Sequence, residues 1–129
     1  MQLVTAPLDA KVILEGVTRG SVLELARRRL VAGSEYLNSE VKELEVVERN
    51  FTMLEIEESC KDGRMIECFL SGTAYFITPV SAINFRDQEI DIPMGDGSSG
   101  YYAAVLKKWL KDIMYGNVQH EWGVVIDEE

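Results

Sequence analysis

Two short stretches place hydrogen-bond donors where an anion could sit. Gly16-Val17-Thr18-Arg19 follows the carboxylate Glu15 directly, and Ser71-Gly72-Thr73-Ala74 interrupts the most β-rich part of the chain. A glycine, a β-branched pair and an arginine make a poor first helical turn unless the bare helix end has something to hold. The first amides of a helix are unpaired donors and its dipole favours negative charge there, so an anion is the physical candidate. In the second stretch two hydroxyls flank a close-approach glycine, which makes an oxyanion cup of similar logic. Acid/base candidates lie beside both stretches: Glu15 at the mouth of the first, Tyr75 after the second, and Asp9 upstream. Each has a plainer reading, the carboxylates as solvated loop residues and the tyrosine as core. Lys11 is either an amine for a relocated imine or a surface charge.

Other chemistry-bearing residues point less far. Gly95-Asp96-Gly97-Ser98-Ser99-Gly100 lacks the Lys-Ser/Thr pair of a phosphate loop and follows no clear strand. The Ser, His and Asp residues form no nucleophile motif. Cys60 and Cys68 are eight apart, and the single histidine, His120, is far from both, so no metal site is expected. The cysteines read as reduced, consistent with a cytoplasmic protein. Arg27-Arg28-Arg29 falls at a helix C-terminus, where it complements the dipole. Arg19 reads as a brace for the helix start and Tyr102 as core.

The elements that must position these residues follow from spacing. Residues 2–5 suit a strand. From Thr18 onward Val22, Leu25, Ala26, Arg29 and Leu30 recur at helical spacing, closing near Gly33. Residues 45–51 alternate like a strand, and Thr52 to Glu55 fits a capping box opening a helix to about Asp62. Strands are predicted at 64–70, 74–78, 81–85 and 89–92, with a turn at Arg86-Asp87. Ser98 or Ser99 is expected to cap a helix over 101–115, ended by Gly116. The tail from His120 reads as strand-like, docked by Trp122. The pattern is α+β or mixed α/β, with about five strands and three helices in one domain over 1–129.

Composition narrows the function classes. The chain has 129 residues and a formal net charge of −9, which opposes nucleic acid and anionic membrane surfaces alike. No apolar run is long enough to span a bilayer.

Taken in order, "TAPLDAKVILEGVTRGSVLELA", "FLSGTAYFITPVSAI" and "LKDIMYGNVQHEWGVVI" resemble the C-terminal part of the branched-chain amino-acid aminotransferases. These are class IV, fold-type IV pyridoxal-phosphate enzymes. The resemblance runs from Leu3 to about Ile126 and implies the C-terminal-domain pseudo-barrel of that family. It also implies roles. Amides matching Val17 and Thr18 grip the cofactor phosphate, and the threonine matching Thr73 adds a side-chain bond to it. Amides matching Thr73 and Ala74 hold a substrate carboxylate, and Leu14 packs on the pyridine ring. His120 precedes the family's C-terminal tryptophan, a structural position.

The family's Schiff-base lysine, the glutamate facing the pyridine nitrogen and the N-terminal small domain all lie upstream of the point matching Met1, so the N-terminal domain is expected to be absent. Glu15 stands where the family has proline, and Tyr75 where it commonly has alanine. These departures predict a changed pocket with no cofactor, although residual phosphate binding is compatible with the cup. The expected function is pyridoxal-phosphate-independent isomerase or cyclase chemistry on a small carbonyl metabolite, with Glu15, Tyr75 or Asp9 moving the proton. The alternatives are a regulatory partner of a full-length homologue, or half of a split aminotransferase. A homodimer or a pairing with such a homologue is expected.

Overall fold

Two amphipathic helices form the core. In the first, α1 (Val17–Arg29), Val22, Leu25 and Ala26 share one buried face, which continues into Leu30. In the second, α3 (Tyr101–Met114), the buried face runs from Tyr102 and Ala103 through Leu106, Trp109 and Leu110 to Ile113. The structure, a computed structural model, describes residues 1–10, 16–72, 76–95 and 100–123. The two faces meet in a single cluster that also takes in Val41 and Ile77. Between them in sequence lies a short helix, α2 (Met53–Lys61), which buries none of its residues.

Six short strands accompany the helices. β1 (Gln2–Thr5) runs parallel to β2 (Glu45–Glu48), in register from Gln2↔Glu45 to Thr5↔Glu48. β3 (Phe69–Gly72) is antiparallel to β4 (Phe76–Pro79), and β5 (Ala82–Phe85) to β6 (Gln88–Asp91). The described strands make three two-stranded sheets. α1 packs on β2, β3 and α3, and α3 packs on β4. In the β5–β6 hairpin Arg86 and Asp87 have φ of 53° and 60°, the pair of left-handed residues that a two-residue primed turn requires.

Several expectations need correction. Among the described residues there are six strands rather than about five. The strand expected over 45–51 stops at Glu48, because its partner β1 ends at Thr5. The strand expected over 64–70 begins only at Phe69, since the amides of Arg64 and Met65 turn back to the Ser59 carbonyl and pairing toward β4 reaches back only as far as the Cys68 carbonyl, which accepts from the Val80 amide at 2.9 Å. The capping box at α2 is half formed: Thr52 Oγ1 accepts from the Glu55 amide at 3.1 Å, but the Glu55 carboxylate goes to Arg49 instead. Gly116, at φ 73°, ends α3 as expected. Trp122 docks beneath Arg28 and beside His120, while the rest of the tail, 124–129, lies outside the described residues.

The start of α3 differs most. Ser98 and Ser99 lie outside the described residues, and the N-cap is Gly100, with no side-chain cap of its own. The acceptor comes from afar: the Glu67 carboxylate takes the amides of Tyr102 at 2.9 Å and Ala103 at 2.7 Å. A carboxylate there satisfies two orphan donors and complements the dipole. Its approach needs Gly100, because a Cβ at that position would overlap the Glu67 carboxylate.

Two outcomes follow for stability. Leu25 and Leu106 are fully buried, so Leu25→Ala or Leu106→Ala should each lose about 2–5 kcal/mol in urea unfolding. Glu67→Ala and Gly100→Ala should each cost about 1–2 kcal/mol, and far less than the sum when combined, because both remove one contact. Additive losses in that double-mutant cycle would mean that Glu67 does not cap α3.

Candidate functional site

Among the described residues, no side chain caps the start of α1. Its N-cap, Gly16, makes no side-chain capping bond, and no acidic residue lies in its first turn. Val17 is 87% exposed and Thr18 half-buried. This sets α1 apart from α2, closed by Thr52, and α3, closed by Glu67. Val17 and Thr18, expected to form one wall of an anion cup, lie at this helix start. The outer end of β3, Ser71 and Gly72, is exposed and lies on the strand that packs against α1. A small cavity of about 110 Å³ lies between them, lined by Arg19, Val22, Leu23 and Ser71 among others.

Arg19 holds this end in place. Its guanidinium Nη2 donates to the Ala6 carbonyl at 2.8 Å and to Glu48 Oε1 at 2.7 Å, with the side chain 12% exposed. Arg27 reaches the other oxygen of the same carboxylate at 3.3 Å. Those bonds, that of Arg19 first, hold the Glu48 carboxyl below its ordinary pKa, against a smaller opposing effect of burial. Arg19 is thus the brace expected of it, clamping α1 to β2 and to the chain after β1. Its Nε is buried, with no hydrogen-bond partner among the described residues, and Arg19 lines the small cavity.

The remaining candidates divide between two outcomes. Asp9 sits exposed in a single 3-10 turn, Leu8–Ala10, and lines neither described cavity. Leu14, Glu15, Thr73, Ala74, Tyr75 and Lys11 lie outside the described residues. Tyr102 is core: its hydroxyl accepts from the Lys42 amide at 2.8 Å and donates to the Lys42 carbonyl at 3.0 Å. The arginine run is spent on structure. Arg28 pairs with Glu24 and Glu121, and Arg29 lies over the rings of Tyr36 and Trp109. Among the described residues no group of His, Cys, Asp and Glu could hold a metal.

Sequence reasoning passed over Glu48 and Glu67. The signal for Glu67 was present, a carboxylate alone between Ile66 and Cys68 in an apolar stretch, where a charge needs a partner. The larger of the two described cavities, about 450 Å³, is elsewhere: apolar in lining, it lies between α2 and β1 and is bordered by neither Val17 nor Thr18. Cys68 borders both cavities, and burial pushes its thiol pKa up.

No protein-family model matches the chain. Individual proteins do. The chain is 40% identical over 129 residues to the cytosolic branched-chain-amino-acid aminotransferase of Saccharomyces cerevisiae, covering 98% of this chain and 32% of that one. To the mitochondrial branched-chain-amino-acid aminotransferase of Schizosaccharomyces pombe it is 38% identical over 125 residues, covering 95% and 27%. The cytosolic counterpart of Rattus norvegicus is 37% identical over 121 residues, covering 94% and 26%. The relatives thus include cytosolic and mitochondrial proteins, and among the described residues no helix is long and apolar enough to cross a membrane. The chain spans about three tenths of the length of these relatives, and over that span it belongs to the branched-chain aminotransferase family.

Proposed function

We propose that this chain supplies the anion-binding wall of an aminotransferase-like site, and that a second polypeptide completes the site. The observation that carries this reading is the uncapped, exposed start of α1, braced by Arg19 and packed against β3. The described half of the cup fits a phosphate. It offers the amides of Val17 and Thr18, with the Thr18 hydroxyl beside them and no acidic side chain in the first helical turn. By the family resemblance the phosphate is that of pyridoxal phosphate, and Thr73 and Ala74 would add the second wall. When bound, the cofactor supplies an electron sink for carbanion chemistry. The residues of this chain orient the phosphate and neutralise its charge.

The reading of a free-standing isomerase or cyclase has less support. Such an enzyme needs an enclosed pocket with a proton-transfer group inside it. Among the described residues Val17 and Asp9 face solvent, and the larger cavity is apolar. A site open on the side of Val17 is what a two-chain arrangement requires. The pseudo-barrel implied by the family belongs to the same proposal, as a closure reached in the assembled state. Partner and substrate class follow the relatives, an aminotransferase chain and its amino-acid substrate.

Titration with pyridoxal phosphate, followed by absorbance, then borohydride reduction and peptide mass spectrometry, tests this. Saturable binding that competes with inorganic phosphate, without a lysine adduct, is expected. An adduct on Lys11 would overturn the reading in favour of an independent cofactor enzyme, and absence of binding would remove the cup.

The brace carries its own outcome. Glu48 has a depressed pKa in the folded protein, so its stabilising contribution is present above the unfolded-state pKa and is lost as pH falls through the folded value. Glu48→Gln should therefore flatten the acid limb of the stability–pH curve. It should also weaken phosphate binding at neutral pH, by about two- to tenfold, by loosening the α1 start. An unchanged acid limb would show that the Arg19–Glu48 pair does not hold that end.

A further inference from the structure

Among the described residues, three turns close in the same way. The Ser34 hydroxyl accepts from the Tyr36 amide at 3.2 Å, and the Asn38 side-chain carbonyl accepts from the Glu40 amide at 2.8 Å. In the third, His120 Nδ1 accepts from the Trp122 amide at 3.2 Å. Each sets a side-chain acceptor on the backbone donor two residues further on, the bond by which Asn and Ser hold turns. A hydroxyl and a carboxamide keep their lone pairs across the physiological pH range. An imidazole accepts at Nδ1 only while it is neutral, with its proton on Nε2. His120 is the single histidine of the chain.

The turn that His120 closes joins the far ends of the two core helices. Glu121 takes Arg28 of α1 at 3.0 Å, and the same guanidinium lies 5.9 Å from the centre of the Trp122 ring. The His120 ring is tilted against that indole at 4.6 Å. The Gly123 amide donates to the His120 carbonyl at 3.0 Å, and a Cβ on Gly123 would come within 3.0 Å of the Ile113 carbonyl, so the turn sits against α3 as well. Neither His120 nor Trp122 belongs to the core cluster, and Trp122 is 37% exposed, so the turn can open without disturbing the core.

Charges lie on every side of this turn. α1 presents Arg28 with its partner Glu24, the turn itself carries Glu121, and α3 carries Asp112 with its partner Lys108. Asp112 also holds the Asn117 side chain in the loop before the turn. Its bonds from Lys108 and then Asn117 keep its carboxyl below the ordinary carboxylate range, so it stays charged wherever a histidine titrates. Glu121 and the indole face favour an imidazolium, and Arg28 opposes it. These ion pairs are largely exposed and weak singly. The Nδ1 lone pair therefore decides: once protonated, Nδ1 cannot remain 3.2 Å from an N–H directed at it.

We propose that His120 is a pH-operated latch on this turn. In its neutral form it closes residues 120–123 across the ends of α1 and α3; in its protonated form it releases the Trp122 amide, and with it the indole from Arg28. The direction follows from the acceptor: the latch is closed above the range in which histidines change charge and open below it.

The test is nuclear magnetic resonance on the whole chain between pH 8 and pH 5, reading the His120 ring nitrogens, the Trp122 amide and the Arg28–Trp122 contact. At pH 8 the ring should carry its proton on Nε2. As pH falls, the Trp122 amide signal and the Arg28 contact should change with the same midpoint as His120. Protection of the Trp122 amide, corrected for the intrinsic pH dependence of exchange, should fall by about three- to tenfold. His120→Asn, which can accept from the same amide without titrating, should stay closed at both ends of the range, and His120→Ala should stay open at both. A proton on Nδ1 at pH 8 would overturn the latch. So would an Arg28–Trp122 contact that persists at pH 5 in the native chain, or a Trp122 transition that survives in His120→Asn. The latch lies at the opposite end of α1 from Val17, so its result is separate from that of the phosphate titration.

Discussion

Backbone donors and acceptors that leave water must find partners, and this fold is organised by how it meets that demand. Its three helices show three answers. α2 closes its start with the neighbouring Thr52, as a short helix with a local cap does. α3 borrows Glu67 from thirty-five residues away, and in doing so ties the approach to β3 onto the main core helix. α1 shows no side-chain cap at its start among the described residues, although Leu25, Ala26 and Leu30 toward its other end are fully buried. The investment in Arg19, clamped to Ala6 and Glu48, keeps the start fixed in space, and preorganised donors are what an anion site needs.

Electrostatics follows the same geometry. A chain with nine excess negative charges has few cations to spare, and most of the arginines described are paired with carboxylates or laid over rings. Arg27 and Arg19 share Glu48, and Arg49 takes Glu55 away from the capping box. Most of these pairs are exposed and add little to stability singly. Arg19 is the exception by burial. Positive potential at the α1 start thus comes mainly from the helix amides themselves, whose strength does not depend on a mobile side chain.

Much of the helical framework was legible in the sequence, because helical periodicity is local. Val22, Leu25, Ala26 and Leu30 declare the face of α1, and Gly116 declares the end of α3. The hairpin at Arg86-Asp87 was legible for a similar reason. What escaped depends on neighbours remote in sequence. No local rule says that Glu67 will reach the start of α3, and no local rule says that the amides of Arg64 and Met65 will turn back to Ser59 rather than join a strand. For the candidate site, the helix start at Val17 and the Arg19 brace were readable from the sequence. The second wall, Thr73 to Tyr75, rests on the resemblance, and Asp9 proved to be a plain exposed turn residue.

The start of α1 and the end of β3 are parts of one arrangement. Ser71, at the outer end of β3, borders the small cavity with Arg19, and Leu3 borders that cavity and the larger one. β3 therefore reaches from the larger cavity, at Phe69, to the small one beside Arg19, at Ser71. An anion bound beside Ser71 costs less ordering where the neighbouring backbone is already held, because part of the conformational entropy is lost beforehand.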